Sequence, residues 1–366
     1  MNFIIDRDHL LTPLQHIVNV IEKRQTMPIL ANILLVIQDN QLVLTGTDLE
    51  IQIIVRINLE SKTDGAITVP ARKLLDICRL LPADAKIKFS LQDDKLKINS
   101  LRSRFSLSTL PAEDYPEFVE DDFDYQFKMQ ASRFKKALDK TIFCMANQDV
   151  RYYLNGLMMN ITNAQLKVVA SDGHRLAVYE DTIEHETGYE TRIIIPRKGI
   201  LELSRLLDDP ETDLTIQFSE NNIRICIKNL IFSAKLIDAK YPDFSKVFHQ
   251  SFFPQIEIQK QVLRDALTRV SVLANEKFKG IAFDINPDSL RISTHNPDHE
   301  EAEEELLIDY QGEDISIAFN AQYFVDAVSN LDSELAYITI AENSSSCFIE
   351  DPNDPRFKFI VMPMMM

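Results

Sequence analysis

The stretch Val168-Val-Ala-Ser-Asp-Gly-His-Arg-Leu-Ala-Val-Tyr-Glu180 has the pattern of two strands joined by a tight turn. Apolar residues run up to the turn at 171–173, and a second strand leaves through Leu176 and Val178. Serine, aspartate and histidine stand together at this turn, as in some hydrolases. Adjacent side chains of a strand point to opposite faces, so adjacency alone cannot build a catalytic triad. We interpret the stretch as one copy of a repeated unit.

Three sets of segments carry the repeat, and its copies are about 125 residues apart. The first set, which begins at Phe3, Gln126 and Gln255, has the form of a strand that leads into an amphipathic helix. The second set, 66–81, 192–207 and 315–331, has the same form. The third set, 86–110, 214–236 and 336–362, is all strand. Each unit is therefore predicted to run strand, helix, three strands, twice over.

This element order predicts an α+β fold of three repeated domains. Two helices cannot cover both faces of about eight strands, so the economical packing puts both helices on one side of antiparallel sheets. We place the domains at 1–122, 123–250 and 251–366. Within them, Asp8 and Ser132 are predicted as helix N-caps, and Pro13 is expected near a helix start.

The composition is that of a globular protein, with 366 residues, 45% of them hydrophobic and 26% charged. No apolar run is long enough for a bilayer and the N-terminus lacks a signal peptide, so we expect a cytoplasmic protein without a membrane partner. The sequence has neither a phosphate-binding loop nor a dinucleotide fingerprint. We expect no catalytic residue, no metal and no cofactor. The cysteines are predicted to be reduced core thiols, and they are Cys78, Cys144, Cys226 and Cys347.

The charge is unevenly distributed along the chain. The six predicted helices together carry +8, and because the whole chain carries -17, the remainder carries -25. If the helices of three equivalent domains line up, they form a basic strip that suits a polyanion such as DNA. The alternative is that basic residues stand on helices by propensity alone. The helical residues that we predict to contact DNA on this ground are Arg72, Lys73, Arg133, Lys136, Arg197, Lys260 and Arg264.

Opposite charges also mark the two ends of the repeat array. An acidic run, Glu300-Glu-Ala-Glu-Glu-Glu305, lies in the third repeat, and Arg102 and Arg104 lie on a predicted strand of the first. A head-to-tail contact between two chains would pair these segments and cover their strand edges. Two chains would then close a ring of six domains with the helices lining the hole. The alternative is that both segments are solvated surface.

Several segments resemble the β sliding clamp family, the beta subunit of bacterial DNA polymerase III, over the whole length of the chain. They are Leu44-Thr-Gly-Thr-Asp-Leu-Glu50, Val69-Pro-Ala-Arg-Lys73, Ser103-Arg-Phe-Ser-Leu-Ser-Thr-Leu-Pro111, Gln148-Asp-Val-Arg-Tyr-Tyr-Leu-Asn-Gly156, Asp172-Gly-His-Arg-Leu-Ala177, Pro196-Arg-Lys-Gly199, Asn275-Glu-Lys-Phe278 and Val361-Met-Pro-Met364. The resemblance implies a non-catalytic, homodimeric ring that encircles duplex DNA without reading its sequence. It also implies a groove for short motifs of the polymerase α subunit, the clamp loader and other clamp-binding proteins.

The resemblance implies three sets of site residues. DNA contacts are expected at Arg24, Gln148, Tyr152, Tyr153 and Lys198. The partner-peptide groove is expected at Leu154, Ser171, Gly173, His174, Arg175, Leu176, Pro242, Lys246, Val247, Asn320, Tyr323, Ser346, Val361, Met362, Pro363 and Met364. The dimer interface is expected at Arg102, Phe105, Leu107, Val272, Leu273, Glu300, Glu301, Glu303 and Glu304, to which we add Lys73 and Arg104.

The chain departs from the family pattern at several positions. The family often ends Met-Pro-Met-Arg-Leu, whereas this chain ends Met364-Met365-Met366. Lys246 replaces a usual arginine, Ser171 a usual threonine and Asn147 a frequent histidine. Two rival functions are a nuclease or transferase that acts on nucleic acid, and a peptide-binding scaffold without a DNA role. The nuclease would need clustered carboxylates and a metal, for which the acidic run is the candidate.

Overall fold

The computed structural model describes residues 1–21, 27–59, 63–183, 188–248, 251–343 and 345–364. Within them the predicted element order recurs in three copies. The first copy contains β1 (Asn2–Asp6), α1 (Arg7–Val20), β2 (Asn32–Gln38), β3 (Gln41–Thr47), β4 (Ile51–Asn58), β5 (Gly65–Pro70), α2 (Ala71–Leu80), β6 (Lys86–Gln92), β7 (Lys95–Ser100), β8 (Ser103–Ser108) and the short β9 (Leu110–Pro111).

The second and third copies follow the same order. The second contains β10 (Tyr125–Gln130), α3 (Ala131–Asp139), β11 (Gly156–Thr162), β12 (Gln165–Ser171), β13 (Arg175–Thr182), β14 (Glu190–Pro196), α4 (Arg197–Leu206), β15 (Asp213–Phe218), β16 (Asn222–Ile227) and β17 (Leu230–Lys235). The third contains β18 (Ile256–Gln259), α5 (Lys260–Val270), β19 (Gly280–Asn286), β20 (Ser289–His295), β21 (Glu301–Leu307), β22 (Ile315–Asn320), α6 (Ala321–Ser329), β23 (Leu335–Ile340), β24 (Cys347–Asp351) and β25 (Asp354–Val361).

Three details of the helix starts differ from the prediction. The N-cap of α1 is Asp6, because β1 runs into the helix without a loop, and Asp8 lies in the first turn, where it pairs with Arg7. Likewise α3 begins at Ala131, so Ser132 is inside it. Pro13 lies inside α1 instead of near its start. The buried face of this helix stabilises it enough to accept the proline.

Packing divides the chain into two compact units. Unit 1 comprises Met1–Lys135 and Lys198–Asp238. It holds a four-stranded antiparallel sheet in the order β1-β6-β7-β8 and a nine-stranded one in the order β10-β15-β16-β17-β4-β3-β2-β5-β9. Helices α1 and α2 contact each other, and α1 packs on β3 and β4. Gly46 permits this close approach, because an added Cβ would lie 2.3 Å from Cγ2 of Ile17.

Unit 2 comprises Lys136–Arg197 and Ala239–Met366. It holds an eight-stranded antiparallel sheet, β14-β11-β12-β13-β25-β24-β23-β18, and a four-stranded one, β21-β20-β19-β22. Helices α5 and α6 contact each other, and α5 packs on β18, β20 and β21. The rings of Phe283, Phe319 and Phe324 form an aromatic core in this copy, with centroids 4.8 to 5.5 Å apart.

The two large sheets contain the same junction between consecutive copies. In unit 1, β17 of the second copy pairs with β4 of the first, and Phe232 lies opposite Ile53. In unit 2, β25 of the third copy pairs with β13 of the second, and Phe359 lies opposite Ala177. Both phenylalanines are fully buried. We call the four strands that accompany one helix of a copy a half-copy. In each large sheet, a half-copy of one copy pairs edge to edge with a half-copy of the next.

Each four-stranded sheet ends at a strand whose equivalent in another copy forms a junction. Strand β8 of the first copy holds the place of β17 and β25, and β21 of the third holds the place of β4 and β13. Both are edge strands of their sheets. Edge strands expose a row of backbone donors and acceptors that can pair with another strand.

The cysteines are thiols without a disulfide. Cys78, Cys144 and Cys347 are buried, whereas Cys226 is only partly buried. Burial raises the pKa of Cys78 to about 12, so this thiol is protonated and unreactive at neutral pH. Among the described residues, no helix is both long and apolar enough to cross a membrane.

Unit 2 contains a network of ion pairs, which we call the Lys136 cluster: Lys136, Lys140, Asp332, Asp354 and Arg356. The ammonium of Lys136 lies 2.9 Å from Asp332 and 2.7 Å from Asp354, and that of Lys140 lies 2.7 Å from Asp332. Arg356 Nε donates to Asp354 Oδ1 at 2.7 Å. Burial disfavours the charged form of Asp354, but hydrogen bonds from Arg356 and Lys136 outweigh burial and hold its pKa at about 2.

This depressed pKa predicts a stability contribution that acid removes. Asp354 has a folded pKa of about 2 against an ordinary value of 3.8. Its contribution of about 2 kcal/mol is therefore present above about pH 4 and is lost as pH falls toward 2. Asp354→Asn should lower the free energy of unfolding near neutral pH, and the deficit should shrink between about pH 5 and about pH 3. Urea unfolding at several pH values measures the difference in free energy of unfolding between the variant and the parent chain. Asp298→Asn, at an exposed position, is the control. A deficit that does not vary with pH would contradict the assignment.

Candidate functional site

The Ser171 turn (residues 171–175) joins β12 to β13, as predicted. Ser171 Oγ donates to the carbonyl of Arg175 at 2.7 Å and accepts from the amide of Gly173 at 3.0 Å. Asp172 Oδ1 accepts from the amides of His174 and Arg175 at 3.0 and 3.1 Å. Serine and aspartate are therefore occupied in holding the backbone of the turn, which accounts for these residue types without catalysis.

The first copy has the same turn, bond for bond. Thr47 Oγ1 donates to the carbonyl of Ile51 at 2.7 Å and accepts from Leu49 at 3.0 Å. Asp48 Oδ1 accepts from the amides of Glu50 and Ile51. The central residue has a φ of +79° at Leu49 and +89° at Gly173. The first two copies therefore share the turn, which is not particular to one site.

The third copy does not keep this turn. Thr294 Oγ1 donates to the carbonyl of Gly280 instead of closing a turn, and β20 continues to His295. Asn296 Oδ1 then accepts from the amides of Asp298 and Glu300 to reverse the chain. The segment Thr294-His-Asn-Pro297 therefore does not repeat the turn of the first two copies. The Asn296 side chain replaces the threonine and aspartate of the first copy.

Gly173 suits its positive φ, which Leu49 also adopts in the first copy, and it is needed for a close approach. The guanidinium of Arg151 covers the turn, with Nη2 donating to the carbonyl of Asp172 at 3.0 Å. Asp149 holds this guanidinium through two hydrogen bonds of 3.0 and 2.9 Å, which lower the pKa of Asp149 to about 2. A Cβ on Gly173 would lie 2.6 Å from Arg151 Nη1. A larger residue would displace the arginine.

Beside the turn lies a largely apolar cavity of about 240 Å³, which we call the Ser171 pocket. Its wall includes the buried Leu154 and Leu176, and Met362 is 44% exposed at its mouth. Burial raises the pKa of Tyr241, so the phenol stays neutral. The full lining is Arg151, Tyr153, Leu154, Ser171, Gly173, Arg175, Leu176, Tyr241, Pro242, Asp243, Phe244, Val247, Ile360 and Met362.

Arg175 fixes the turn from beneath. Its Nε donates to Asp172 at 2.9 Å, its Nη1 to Asp326 at 2.6 Å and its Nη2 to the carbonyl of Phe143 at 2.7 Å. Its guanidinium also lies 4.4 Å from the ring centroid of Tyr323. With its donors committed in this way, Arg175 positions the pocket wall and leaves the apolar lining for recognition.

The structure brings half of the predicted groove residues into the pocket lining and places the others elsewhere. Outside the lining are His174, Lys246, Asn320, Tyr323, Ser346, Val361, Pro363 and Met364. Ser346 and Val361 are buried, and His174 meets the C-terminal segment through its carbonyl, which accepts from Met362 at 2.9 Å. Sequence reasoning missed six lining residues, Arg151, Tyr153, Tyr241, Asp243, Phe244 and Ile360. The Tyr241-Pro242 turn was the signal for three of them.

The predicted DNA-contact residues fall into four groups. Arg24 lies outside the described residues. Exposed members are Arg72, Lys73, Gln148 and Tyr152, and partly buried ones are Arg133, Tyr153, Arg197, Lys260 and Arg264. Lys136 belongs to the Lys136 cluster, and Lys198 pairs with Asp48 in the first-copy turn. Lys140, which the helix charge count had included, follows the end of α3. Lys136, Lys140 and Lys198 therefore already have carboxylate partners.

The predicted interface residues lie mostly on the two edge strands. On β8, Arg104 is exposed and Leu107 is buried, while Arg102 precedes the strand. On β21, Glu301 and Glu303 are exposed and Glu304 pairs with Arg269. Glu300 precedes β21, and Phe105 and Leu273 are partly buried. Val272 is 76% exposed, which is unusual for a large apolar side chain. Lys73 lies on α2.

Three copies of a two-helix, antiparallel-sheet unit define a DNA clamp fold. Models of the DNA polymerase III beta subunit match the chain at residues 1–119 (N-terminal domain), 128–243 (central domain) and 245–365 (C-terminal domain). The beta sliding clamps of Pseudomonas putida and Escherichia coli K12 are 41% and 40% identical over 365 residues, which cover 100% of each chain.

Solved structures agree with these sequence matches. The sliding clamp of Pseudomonas aeruginosa bound to griselimycin superposes with a TM-score of 0.97 at 40% identity, and that of Caulobacter crescentus with 0.94 at 31%, both over 100% of each chain. The chain belongs to the DNA polymerase III beta subunit family. This family is the beta sliding clamp, a non-catalytic processivity subunit of DNA polymerase III. The predicted family, fold class and lack of enzymatic activity are thereby confirmed.

Proposed function

We propose that this chain is a cytoplasmic sliding clamp, two copies of which close head to tail into a ring around duplex DNA. Its three domains span 1–122, 123–250 and 251–366. The ring tethers the polymerase α subunit and exchanges it with the clamp loader and other clamp-binding proteins. The observation that carries the proposal is the repeated sheet junction. Strands β8 and β21 are both edge strands, and their equivalents in the other copies pair with each other at the two junctions.

The junction registers define the contact that would close the ring. Arg104 of β8 lies opposite Asn99, as Ile231 of β17 lies opposite Cys226, so Arg104 and Ile231 are equivalent. In unit 2 the equivalent residue is Lys358 of β25.

On the other edge, Glu303 of β21 lies opposite Ser293, as Ile54 of β4 lies opposite Thr45. Ile231 pairs with Ile54 in the junction of unit 1. The same register therefore puts Arg104 opposite Glu303 of the partner subunit.

Neighbouring positions fit the same register. Phe105 is equivalent to Phe232, which lies opposite Ile53, so it would lie opposite Ala302 of the partner subunit. Arg102 would lie opposite Glu305. An apolar contact faces the inside and opposite charges meet on the outside, which favours this pairing over a random edge contact.

Duplex DNA is the polyanion that suits the helical layer. The four helices α2 to α5 each carry a net positive charge in a chain of net charge -17. Exposed cations such as Arg72 and Lys73 would contact phosphates without reading base sequence. Weak, sequence-blind contacts allow a closed ring to slide.

The Ser171 pocket suits an apolar side chain of a partner peptide. Its wall is rigid, because Arg175 and Arg151 hold the turn, and its mouth carries the flexible Met362. Phe244 and Val247 extend the apolar lining, and aromatic and methionine side chains can accommodate varied partners.

Topological retention tests the clamp proposal. After loading with a bacterial clamp loader and ATP, the protein should stay on nicked circular DNA and dissociate when the circle is linearised. The measurement is gel filtration of labelled protein with DNA before and after a single cut. Equal retention on both forms would show binding by contact alone and would rule out encirclement.

A charge swap tests the closing contact. Arg104→Glu should weaken dimerisation at least about tenfold, a loss of about 1.4 kcal/mol, because it places two carboxylates opposite each other. Adding Glu303→Arg to the same chain should restore most of the affinity. Sedimentation at low protein concentration measures the dimerisation affinity. The matched control is Lys88→Glu, on the interior strand β6 of the same sheet. Failure of the double variant to recover would refute the register.

Gly173→Ala tests the pocket. The alanine is strained at a φ of +89°, and its Cβ would displace Arg151 from its place in the pocket lining. A fluorescent peptide with the clamp-binding motif of the polymerase α subunit should bind at least about tenfold more weakly. Leu49→Gly changes the equivalent position of the first-copy turn and should leave the affinity unaltered. Equal peptide affinity of the parent chain, Gly173→Ala and Leu49→Gly would show that the peptide binds outside the Ser171 pocket.

A further inference from the structure

A second cavity of unit 2, of about 290 Å³, shares a wall with the Ser171 pocket. We call it the Asn160 groove, and its lining combines the chain 241–248 with polar residues of the eight-stranded sheet, namely Asn160, Lys167, Glu180, Arg192 and Lys358. Tyr241 and Phe244 line both cavities. On β25, Lys358 lines the groove and Ile360 lines the pocket, so the two cavities are continuous along this strand.

The polar residues of the groove form a row across the sheet. Asn160 of β11 lies opposite Arg192 on one side and Lys167 on the other, and Lys167 lies opposite Glu180. Among the described residues, the side-chain oxygen Oδ1 of Asn160 is buried without a hydrogen-bond partner. Leaving a buried acceptor without a donor costs free energy, so this oxygen calls for a donor from outside the chain.

The first copy has no such acceptor. Gly156 lies opposite Pro196 as Asn32 lies opposite Pro70, so Asn160 is equivalent to Val36. The neighbours of Val36 in its row are Ala66 and Val43. An apolar row needs no hydrogen-bond donor, so the fold itself does not require a polar residue at this place.

The third copy has an acceptor here and satisfies it. Gly280 lies opposite Asn320, so Asp284 is equivalent to Asn160. Its Oδ1 accepts from Ser316 Oγ at 2.7 Å, and its Oδ2 accepts from Arg291 Nη2 at 2.9 Å. Of the three copies, the second is therefore the one in which a buried acceptor at this position lacks a donor and lines a cavity.

The groove also has cations to spare. Lys167 Nζ lies 2.6 Å from Glu180, and these two charges cancel. Across the described part of the chain, neither Arg192 nor Lys358 has an ion-pair partner, and Lys358 Nζ lies 5.6 Å from the ring centroid of Phe248. Asp243 is the remaining carboxylate of the lining, and its Oδ1 accepts from the amide of Ser245 at 2.9 Å. The groove is therefore locally basic in a chain of net charge -17.

The length of the groove indicates the shape of its ligand. Arg192 is on β14 and Lys358 is on β25, which are four strand intervals apart in the sheet. At about 4.8 Å per interval, their backbones are about 19 Å apart, a span that about six residues of extended peptide cover. A peptide also supplies backbone N–H groups for a buried acceptor, and its acidic side chains suit unpaired cations.

We propose that the Asn160 groove binds an acidic flank of the partner peptide, which rests on the peptide-binding role proposed for the Ser171 pocket. The flank would leave that pocket at the Lys358 end and run across the sheet toward Arg192. A carboxylate of the flank would lie beside Arg192, and a backbone N–H would donate to Asn160 Oδ1. The groove thus adds a preference for negative charge that the apolar lining of the Ser171 pocket cannot supply.

Fluorescence anisotropy with a set of labelled peptides tests the proposal. One peptide carries the clamp-binding motif alone, and the others add Asp-Glu-Asp-Glu or Asn-Gln-Asn-Gln before or after the motif. We expect the acidic flank, on one of the two sides, to bind about fivefold more tightly than the amide flank on that side. Arg192→Gln should remove this preference without changing the affinity of the bare motif. The matched control is Lys128→Gln, an exposed lysine of β10, which should keep the preference.

Asn160→Val rebuilds the first copy and tests the buried acceptor. It should weaken binding of the acid-flanked peptide, leave the bare motif unaffected and raise the unfolding temperature, because no buried oxygen then lacks a donor. Equal affinities of acidic and amide flanks on both sides, with the bare motif still bound, would overturn the flank site alone. A preference that survives Arg192→Gln, or that Lys128→Gln also removes, would overturn it as well. Failure of the bare motif to bind would overturn the peptide role of the Ser171 pocket too.

Discussion

Antiparallel pairing between half-copies is the constraint on which the rest of the structure depends. A four-stranded half-copy has an apolar inner face and an open edge, and in both large sheets a neighbouring half-copy covers that edge. Phe232 and Phe359 are fully buried at the two junctions, so each junction adds to the core as well as to the hydrogen-bonded ladder. The element order of each copy is determined by this need, because its last strand must reach the preceding copy.

The junction turns are tied to the second helix of the next copy by ion pairs. In unit 1, Asp48 of the first-copy turn pairs with Lys198 of α4. In unit 2, Arg175 of the Ser171 turn pairs with Asp326 of α6 at 2.6 Å. The signs are reversed and the paired residues are not equivalent, but in both units a residue of the turn is held by the same helix of the next copy. This explains how a predicted DNA-contact lysine comes to have a structural partner, and why the Ser171 turn resembles an active site without being one.

The fold was predictable from the sequence because strand periodicity and helix periodicity recur three times, and each copy supports the reading of the others. Local details were less predictable. Whether Asp6 or Asp8 caps α1 depends on how directly β1 enters the helix, and the place of Pro13 depends on tertiary burial. The pocket was half predictable. Leu154 and Leu176 lie near the turn in sequence, whereas Tyr241 and Phe244 reach it from a segment whose position depends on the whole of unit 2.

Divergence between the copies is where function enters a repeated fold. The Ser171 turn differs from the first-copy turn in having glycine in place of Leu49, and that glycine admits Arg151 and shapes a pocket. The third copy lacks the turn. Its strand β21 carries Glu303 and Glu304 where β4 carries Ile54 and Val55 and β13 carries Val178 and Tyr179. A strand so charged cannot join a buried intramolecular junction without a basic partner, since an unpaired buried carboxylate is costly. The edge of β8, with its exposed arginine, supplies the matching chemistry.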